Sequence, residues 1–304
     1  MYFARRLIGM IPLLLGISFL AFMLVRLAPG GPFDRERRPA SPEIERRILE
    51  KYHLDEPLLK QYARYLGGVL KGDLGPSLKY RNHSVSDIVI QGLPVSMMLG
   101  TCAFLFALGL GLPAGFYAAA RQGGFGDYAS SLVALCGVCV PAFVVGPFLV
   151  MEFAIRRKLF PVALLESPMH LILPTVTLGL YFAGRVARLL REGMLGLRDA
   201  EFVVAARAKG MTDVAVLRRH VFRIGVLPVV SYSGPMLADL LTGSFVVENL
   251  FQIPGIGVFM VNSSLSRDYT MIVGLVLVYA VLLLMLNLFV DLAYRWLDPR
   301  VSYD

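Results

Sequence analysis

The sequence predicts an all-α membrane protein with six transmembrane helices, on three observations. Of its 304 residues, 56% are hydrophobic and 17% are charged, against about 25% charged residues in soluble domains. Residues 31–91 and 185–223 together hold 33 of the 52 charged residues. Outside these blocks, six stretches reach or approach the ~20 apolar residues that a helix needs to cross a bilayer. This composition excludes a single soluble core, a disordered chain and a disulfide-rich secreted scaffold.

The predicted spans differ in strength. In chain order they are Leu7–Val25, Gly92–Ala120, Tyr128–Met151, Ser167–Gly184, Ile224–Val247 and Tyr269–Val290. The first is expected to remain as a helix rather than to be cleaved as a signal peptide, because its 19 residues exceed the usual apolar core of about 7–15. The fourth is the weakest, since it is short and is expected to be interrupted at Pro174 and Gly179.

The basic residues predict the orientation of the spans. With the N-terminus in the cytoplasm, the inner segments carry 14 Arg and Lys residues, whereas the short outer loops carry Arg156, Arg157, Lys158 and Arg267. Cytoplasmic loops are enriched in basic residues, so both termini are expected to be cytoplasmic. The cluster Arg156–Lys158 departs from this rule. The net charge of +8 then reflects topology and attraction to anionic lipid rather than nucleic-acid binding.

The outer charged block, residues 31–91, is predicted to form a small helical domain. An amphipathic pattern from Glu43 to Leu70 predicts a helix, and the turn residues of Gly72–Pro76 follow it. Two roles stay open for this domain. It is either a cap that packs on the membrane part, or a docking surface or gate that meets an external partner.

The inner charged block, residues 185–223, is predicted to contain two short helices joined at a glycine. Asp199 is expected to cap the first, which Gly210 ends, and Thr212 is expected to cap the second, which runs to Arg223. Such a pair also suggests a DNA-binding helix-turn-helix. However, a 39-residue segment held between two spans is too short for the three-helix core of that domain, so docking onto another protein is favoured.

Several segments of the chain match a known family of membrane proteins. In the inner block they are Ala206-Arg207-Ala208-Lys209-Gly210, Arg219-His220-Val221-Phe222-Arg223 and Leu227-Pro228. These resemble the cytoplasmic coupling loop of ABC importer permeases. The general motif begins Glu-Ala-Ala, and Val204 stands at its first position here, a departure that suits the peptide and nickel branch. Further matches are Arg26-Leu27-Ala28-Pro29-Gly30, Gly72-Asp73-Leu74-Gly75-Pro76-Ser77-Leu78-Lys79-Tyr80, Leu93-Pro94-Val95-Ser96, Glu248-Asn249-Leu250-Phe251, Pro254-Gly255-Ile256-Gly257, Arg267-Asp268-Tyr269 and Asp298-Pro299. Together they most resemble the B-type membrane subunit of oligopeptide permeases.

The resemblance implies a type I ABC importer permease fold and ATP-driven import of oligopeptides by alternating access across the bacterial inner membrane. The implied domains are residues 1–30 (N-terminus and first span), 31–91 (extracytoplasmic helical domain), 92–298 (transporter core with coupling loop 185–223) and 299–304 (cytoplasmic tail). The implied partners are a second permease subunit forming a heterodimer, two cytoplasmic ATPases that use ATP and Mg, and an extracytoplasmic peptide-binding protein. The same architecture also suits dipeptides, nickel or another small peptide-like solute.

Two sets of candidate functional residues follow. The resemblance implies an ATPase-coupling surface at Glu201, Ala205, Ala206, Arg207, Lys209, Gly210 and His220. A candidate translocation path in the fifth span comprises Asp239, Thr242, Ser244 and Glu248. A charged carboxylate as deep as Asp239 costs about 2.5–3.5 kcal/mol, so it is expected either to face a wet pathway and meet a peptide amine, or to bond to a neighbouring helix. Glu248 is expected at the outer mouth or in a loop network.

Enzyme chemistry and cofactor binding are not predicted for this chain. It has no G-x-x-x-x-G-K-[ST], H-E-x-x-H or G-x-S-x-G motif, so ATP hydrolysis falls to the partner subunits and no metal site is expected. Cys136 and Cys139 fit a C-x-x-C pattern, but their uncharged surroundings favour apolar packing. Gly111 and Gly115 are expected to allow close helix packing. Two rivals stay open, an ion-gradient-driven secondary transporter and an intramembrane enzyme, although the second lacks a nucleophile constellation.

Overall fold

The computed structural model describes residues 2–27, 55–80, 83–124, 127, 132, 139–242 and 244–297. The helices are α1 (Tyr2–Leu27), α2 (Leu58–Val69), α3 (Val85–Ala120), α4 (Ala142–Leu149), α5 (Ile172–Leu195), α6 (Glu201–Ala208), α7 (Asp213–Gly225), α8 (Leu227–Thr242), α9 (Phe245–Leu250), α10 (Ile256–Ser266) and α11 (Tyr269–Leu297). A π turn, Val150–Arg156, continues α4, and a second, Leu217–Val221, lies within α7. The only β feature of the described residues is an isolated bridge between Pro76 and Ser84. The predicted all-α class is confirmed.

Four helices of the described residues are long and apolar enough to cross a membrane. They are Arg6–Leu27, Val85–Ala120, Pro168–Leu195 and Tyr269–Phe289. A fifth span results if Asp213–Gly225 and Leu227–Leu250, which form a bent pair, are taken together. Most of the first half of the predicted third span, Tyr128–Met151, lies outside the described residues. The structure therefore establishes a membrane protein with four to five candidate spans, and the count of six stays a prediction.

The second span starts earlier than predicted. α3 begins at Val85 rather than at Gly92, because Ser84 and Asp87 form a capping box. The Asp87 N–H donates to Ser84 Oγ at 3.0 Å, and the Ser84 N–H donates to Asp87 Oδ2 at 3.1 Å. These polar residues lie outside the apolar stretch that predicted the span, so hydropathy alone missed the first turns of the helix.

The predicted interruption of the fourth span is wrong. α5 continues past Pro174 and Gly179 and ends only at Leu195, eleven residues into the inner charged block. Pro174 lies in the first turn of α5, where N–H groups lack intrahelical partners in any case. A Cβ at Gly179 would lie 2.9 Å from the Ala103 carbonyl oxygen and 2.7 Å from the Phe106 ring, so this glycine permits close packing against α3 instead of ending the helix.

The outer charged block is described only in part. Residues 43–54 of the predicted helix Glu43–Leu70 lie outside the described residues, and the described remainder forms α2 after Pro57. The predicted turn is present, with φ of +80° at Gly72 and +92° at Gly75, a conformation that glycine adopts without a steric penalty.

The described chain divides into two compact units. The first comprises the described residues up to Val95 together with Gly255–Met285, and the second comprises Ser96–Pro254 together with the described residues from Leu286. In the first unit, the start of α3 packs against α10 and the start of α11. The buried core side chains are Val85, Ile88, Val89, Ile256, Met271 and Leu275, each of which contributes about 1.5–3 kcal/mol through burial.

A buried carboxylate, Asp268, joins the loop after α2 to the start of α11. Asp268 Oδ2 accepts from Ser77 Oγ at 2.5 Å and from the Lys79 N–H at 3.2 Å. Its Oδ1 accepts from the Leu78 and Met271 N–H groups, both at 3.2 Å. The bond to Met271 also makes Asp268 the N-cap of α11, so one side chain fixes both segments.

In the second unit, α3 packs closely on α5 through two glycines. A Cβ at Gly111 would lie 2.7 Å from the Ala183 carbonyl oxygen, and a Cβ at Gly115 would lie 2.4 Å from that of Ala187. Real Cβ atoms do not approach so closely, so the two backbones meet only because both positions are glycine. The predicted packing role of Gly111 and Gly115 is confirmed.

Candidate functional site

The two helices predicted for the inner charged block are present as α6 and α7. α6 ends in a Schellman motif, in which the Met211 N–H donates to the Ala206 carbonyl at 3.3 Å and the Gly210 N–H donates to the Arg207 carbonyl at 2.9 Å. Gly210 has a φ of +84°, which L side chains disfavour. The predicted end of the helix at Gly210 is confirmed, and the turn geometry explains why a glycine stands there.

The predicted N-cap of α6 is wrong. Asp199 lies inside a turn, in which the Ala200 N–H donates to the Leu197 carbonyl at 3.2 Å. Ala200 takes the extended backbone of an N-cap residue, with φ −66° and ψ 144°, and α6 begins at Glu201. Asp199 therefore stands one residue too early. Thr212 occupies the N-cap position of α7 as predicted, without a side-chain cap hydrogen bond.

Most of the candidate coupling residues lie on the surface of the α6–α7 pair. Glu201, Ala205, Lys209, Gly210 and His220 are exposed, Arg207 is half-buried and Ala206 is buried. Arg207 Nε donates to Asp213 Oδ1 at 2.9 Å, so an ion pair at the surface joins the two helices. Val203 and Val216 are fully buried and anchor the pair from beneath.

The same surface carries exposed apolar and cationic side chains outside the predicted set. Phe202, Val204 and Val214 are exposed, although they lie on short helices of a charged segment. Arg218 and Arg219 are exposed beside His220 on the π turn of α7, and such turns occur often at functional sites. Apolar groups surrounded by cations are typical of a protein-docking surface. The signal that sequence analysis could have used is the presence of these apolar residues within a charged block.

α7 meets α5 through a direct contact between backbones. A Cβ at Gly193 would lie 2.3 Å from the Gly225 carbonyl oxygen, and a Cβ at Gly225 would lie 2.8 Å from Met194 Cγ. Glycine at both positions is therefore what allows α7 to approach α5. Because α5 is a single 24-residue helix and a candidate membrane span, α7 contacts that span directly.

A buried ion pair holds the same end of α5. Arg191 Nε donates to Asp127 Oδ1 at 2.7 Å, and Arg191 Nη2 donates to Asp127 Oδ2 at 2.8 Å. The Asp127 side chain is 5% exposed and also accepts from the Gly123 N–H at 3.0 Å. In the sequence, Arg191 contributes only to the orientation signal of the basic residues, because its partner lies 64 residues away.

The candidate path residues have two different environments. Asp239 lies on α8, is exposed, and forms no hydrogen bond or ion pair with the described residues. Thr242 ends α8, and its side chain lies outside the described part of the chain. Ser244 and Glu248 are fully buried, with Ser244 Oγ donating to Glu248 Oε1 at 2.5 Å. A hydrogen bond thus joins Ser244 and Glu248, and Asp239 takes no part in it.

A polar cluster on α5 and α8 was not among the predicted residues. Arg185 Nη1 donates to the Tyr181 hydroxyl oxygen at 3.3 Å. Arg185 Cζ lies 4.6 Å from the centre of the Tyr232 ring, a distance at which a cation and an aromatic face attract each other. The predicted fourth span ends at Gly184, which assigns Arg185 to the inner loop. Continuation of the helix would have put Tyr181 and Arg185 on one face, four residues apart.

The described residues contain no candidate metal site. They contain no group of three or more His, Cys, Asp or Glu side chains able to hold a metal ion. Cys139 is exposed and Cys102 is partly buried, both as free thiols, while Cys136 lies outside the described residues.

Comparison with protein families and curated proteins gives consistent matches. The family of binding-protein-dependent transport system inner membrane components matches residues 111–303. The dipeptide transport system permease DppB of Bacillus subtilis (strain 168) is 39% identical over 99% of this chain and 97% of its own length. The oligopeptide permease OppB of Haemophilus influenzae is 39% identical over 98% of each chain. OppB of Escherichia coli K12 is 39% identical over 99% of each chain.

Solved structures show the same fold at lower identity. One inward-facing structure of the MetNI methionine ABC transporter, from a selenomethionine-soaked crystal, matches with a TM-score of 0.57 and 16% identity. A structure of an amino acid ABC transporter with histidines matches with a TM-score of 0.54 and 16% identity. Each match covers 69% of this chain, and 96% and 94% of the solved chains respectively.

Proposed function

The chain belongs to the family of binding-protein-dependent transport system inner membrane components, and we propose that it is the B-type permease subunit of a peptide importer. It is a permease component of an ABC transporter, and ATP hydrolysis lies in its partner subunits. Peptides are the proposed cargo, since relatives that are 39% identical over nearly the whole chain are named for dipeptide and oligopeptide transport. Nickel or another small peptide-like solute is the alternative.

We propose the following assembly for this importer. The chain pairs with a second, related permease as a heterodimer, and two cytoplasmic ATPases bind beneath the pair. A peptide-binding protein delivers cargo to the outer face. Six spans, with both termini cytoplasmic, place residues 31–91 outside as a helical domain, residues 92–298 in the transporter core and residues 299–304 in a cytoplasmic tail.

The observation that carries the proposal is the α6–α7 pair and its contact with α5. ATP binding would draw the partner ATPases together and move the coupling surface at Glu201, Ala205, Ala206, Arg207, Lys209, Gly210 and His220. The Gly193–Gly225 contact would pass this movement to α5. Rigid-body motion of packed helices is a common route of such switching, so the permease halves would open outward on ATP binding and reset on hydrolysis.

Replacing Gly210 with Val tests the coupling surface. A β-branched residue at a φ of +84° is strained by about 1–3 kcal/mol, so the Schellman turn should shift and displace the docking residues. We expect peptide uptake and peptide-stimulated ATPase activity of the assembled importer to fall by about tenfold, since 1.4 kcal/mol corresponds to a factor of ten. Gly210→Asn is the control, because Asn tolerates this conformation. Undiminished uptake and ATPase activity in Gly210→Val would contradict the coupling role.

We propose that one face of α8 lines the translocation path. Ser231, Pro235 and Asp239 are exposed at four-residue spacing, and a charged side chain on a span face avoids lipid. Tyr232, which holds Arg185 of α5 against its ring, lies seven residues before Asp239, or about 10 Å along the helix. A cation held beside Tyr232 and an anion at Asp239, about two turns further along α8, suit the opposite terminal charges of a short extended peptide.

Replacing Asp239 with Asn tests this path. The variant should import a tripeptide with a free N-terminus about tenfold more slowly, because a charge-assisted hydrogen bond contributes about 1.5–3 kcal/mol. The N-acetylated tripeptide should be imported equally slowly by both proteins in proteoliposomes that contain the complete importer. Glu166→Gln, which changes an exposed carboxylate outside the predicted spans, is the control. If wild type and Asp239→Asn show the same ratio of import rates for the free and the N-acetylated tripeptide, Asp239 does not bind the peptide amine.

A further inference from the structure

A cavity of about 280 Å³ lies within the first unit, where α1 ends and α11 begins. Its walls come from α1, α2, the loop after α2 and the first turns of α11. Its charged and aromatic lining residues are Phe22, Arg26, Arg64, Tyr65, Asp73 and Tyr269. Because α1 and α11 are both candidate spans, a cavity at these ends of the two helices lies at the membrane surface, at the level of the lipid headgroups.

Arg26 gives this cavity a positive charge. Its Cζ lies 4.6 Å from the centre of the Phe22 ring and 5.7 Å from the centre of the Tyr269 ring. Among the described residues it forms no ion pair. Aromatic faces stabilise the cation but offer no acceptor oxygen for its five N–H donors. The guanidinium therefore favours a ligand that is both anionic and rich in acceptor oxygens.

The Tyr65 hydroxyl provides a second group for such a ligand. The hydroxyl oxygen is buried and has no hydrogen-bond partner in the part of the chain that the structure describes. Burial raises the pKa of Tyr65 above its usual range, and the neighbouring Tyr62 adds to the shift, so the hydroxyl keeps its proton and can donate it. A buried polar group without a partner is destabilising, and a bound oxygen that accepts from this hydroxyl would remove that penalty.

The other charged residues of the cavity are already engaged. Arg64 Nη2 lies 2.7 Å from Glu56 Oε1, and Asp73 Oδ1 accepts from the Gly75 N–H at 2.8 Å. Asp73 is also exposed, so solvent screens its repulsion of an anion. Arg26 and Tyr65 thus determine what the cavity binds.

We propose that this cavity binds a phosphate group at the membrane surface, held by the Arg26 guanidinium and the Tyr65 hydroxyl. Two N–H donors of an arginine match two oxygens of a phosphate. The volume lies just below the ~300–1,000 Å³ of pockets that enclose drug-sized ligands, which suits a headgroup and excludes an oligopeptide. The last two turns of α1 also expose Leu20 and Leu24, which offer an apolar surface to the acyl chains of a phospholipid.

Three of the segments that resemble the permease family, Arg26–Gly30, Gly72–Tyr80 and Arg267–Tyr269, contribute residues to this cavity. None of them takes part in the proposed coupling surface or translocation path. Arg26 comes from the first of these, Arg26–Gly30. Asp73 and its neighbours in the same loop come from Gly72–Tyr80, and Tyr269 comes from Arg267–Tyr269. Their convergence on one cavity does not depend on the proposed peptide cargo, so this inference stands or falls separately from the proposed function.

Native mass spectrometry of the delipidated, assembled importer tests the proposal. Three probes are compared: short-chain phosphatidylglycerol, the diacylglycerol of equal chain length, and inorganic phosphate. Wild type should bind phosphatidylglycerol and not diacylglycerol. Arg26→Gln should weaken this binding by about tenfold or more, and Tyr65→Phe by several-fold, because charge-assisted hydrogen bonds are stronger than neutral ones. Displacement of the lipid by inorganic phosphate would identify the site as one for free phosphate, and resistance to it would identify a lipid headgroup site; both support the proposal.

Two controls separate binding from folding and from general charge. Arg26→Lys keeps the charge and should retain most of the binding, and the mass of the intact complex reports assembly of each variant. Arg157→Gln removes an exposed arginine that is already paired with Glu152 at 2.8 Å and should leave binding unchanged. Wild-type binding in both Arg26→Gln and Tyr65→Phe would overturn the proposal. So would equal binding of diacylglycerol, or displacement of the lipid by a peptide carboxylate at equal concentration.

Discussion

Arg191→Ala is expected to lower the free energy of unfolding of the permease by about 3–5 kcal/mol, the cost of removing one partner from a buried ion pair. The change leaves the Asp127 carboxylate, whose side chain is 5% exposed, without the guanidinium that donates two hydrogen bonds to it. Thermal unfolding of the purified subunit and the yield of assembled importer measure the effect. Arg191→Lys should fall between wild type and Arg191→Ala, because lysine keeps the charge but loses the bidentate geometry.

The chain offers a matched control for this pair. Arg207 and Asp213 form an Arg–Asp pair of similar length, 2.9 Å, but the Asp213 side chain is 75% exposed. Arg207→Ala should therefore cost only about 0–1 kcal/mol. Replacing both buried partners, with Asp127→Leu and Arg191→Met, should recover most of the lost stability, since no buried charge is left unpaired. An equal loss in Arg191→Ala and Arg207→Ala would show that burial does not determine the strength of the pair.

The features that sequence reasoning located are those set by local chemistry. Gly210 ends α6 because the turn needs a positive φ, and that requirement is visible in the residue itself. The same holds for Gly111 and Gly115, whose four-residue spacing indicates a helix–helix contact. Hydropathy likewise located the bulk of the described spans, since an apolar run of that length has few other stable environments.

The features that sequence reasoning missed depend on partners far away in the chain or on backbone detail. Asp127 and Arg191 are 64 residues apart, and nothing in either local pattern indicates the other. The N-cap of α6 is Ala200 rather than Asp199 because the preceding turn extends one residue further. Residue propensities do not locate a helix boundary to within one residue. The predicted span separates Arg185 from Tyr181 because charged residues usually end an apolar span, whereas α5 continues eleven residues into the charged block.

The length of α5 determines how the proposed movement of α7 would reach the membrane. If α5 ended at Gly184, a loop of 16 residues, 185–200, would separate the coupling helices from the membrane, and loops move independently of the helices that they connect. Because α5 runs to Leu195, the contact with α7 lies on the same rigid helix that packs against α3 through Gly179. The helix that α7 contacts at Gly193 thus also carries Arg185, which lies against the Tyr232 ring of α8.

Gly193→Ala is expected to uncouple ATP hydrolysis from transport. The added Cβ would lie 2.3 Å from the Gly225 carbonyl oxygen, and a normal contact requires the two helices to separate by about 1 Å, at a cost of about 1–3 kcal/mol. The coupling surface itself would stay intact, so the ATPases should still dock and hydrolyse ATP. We expect uptake in proteoliposomes to fall by about tenfold, and the number of ATP molecules hydrolysed per imported peptide to rise accordingly.

Gly196→Ala is the matched control for this prediction, three residues further along the same backbone. A Cβ at Gly196 would lie 3.5 Å from the Glu192 carbonyl oxygen, an ordinary contact, so both uptake and the ATP cost per peptide should stay at wild-type values. A reduced yield of Gly193→Ala would report loss of folding rather than loss of coupling, and therefore only assembled importer is compared. If Gly193→Ala keeps the wild-type ratio of ATP to peptide, the movement of α7 reaches the membrane by another route than its contact with α5.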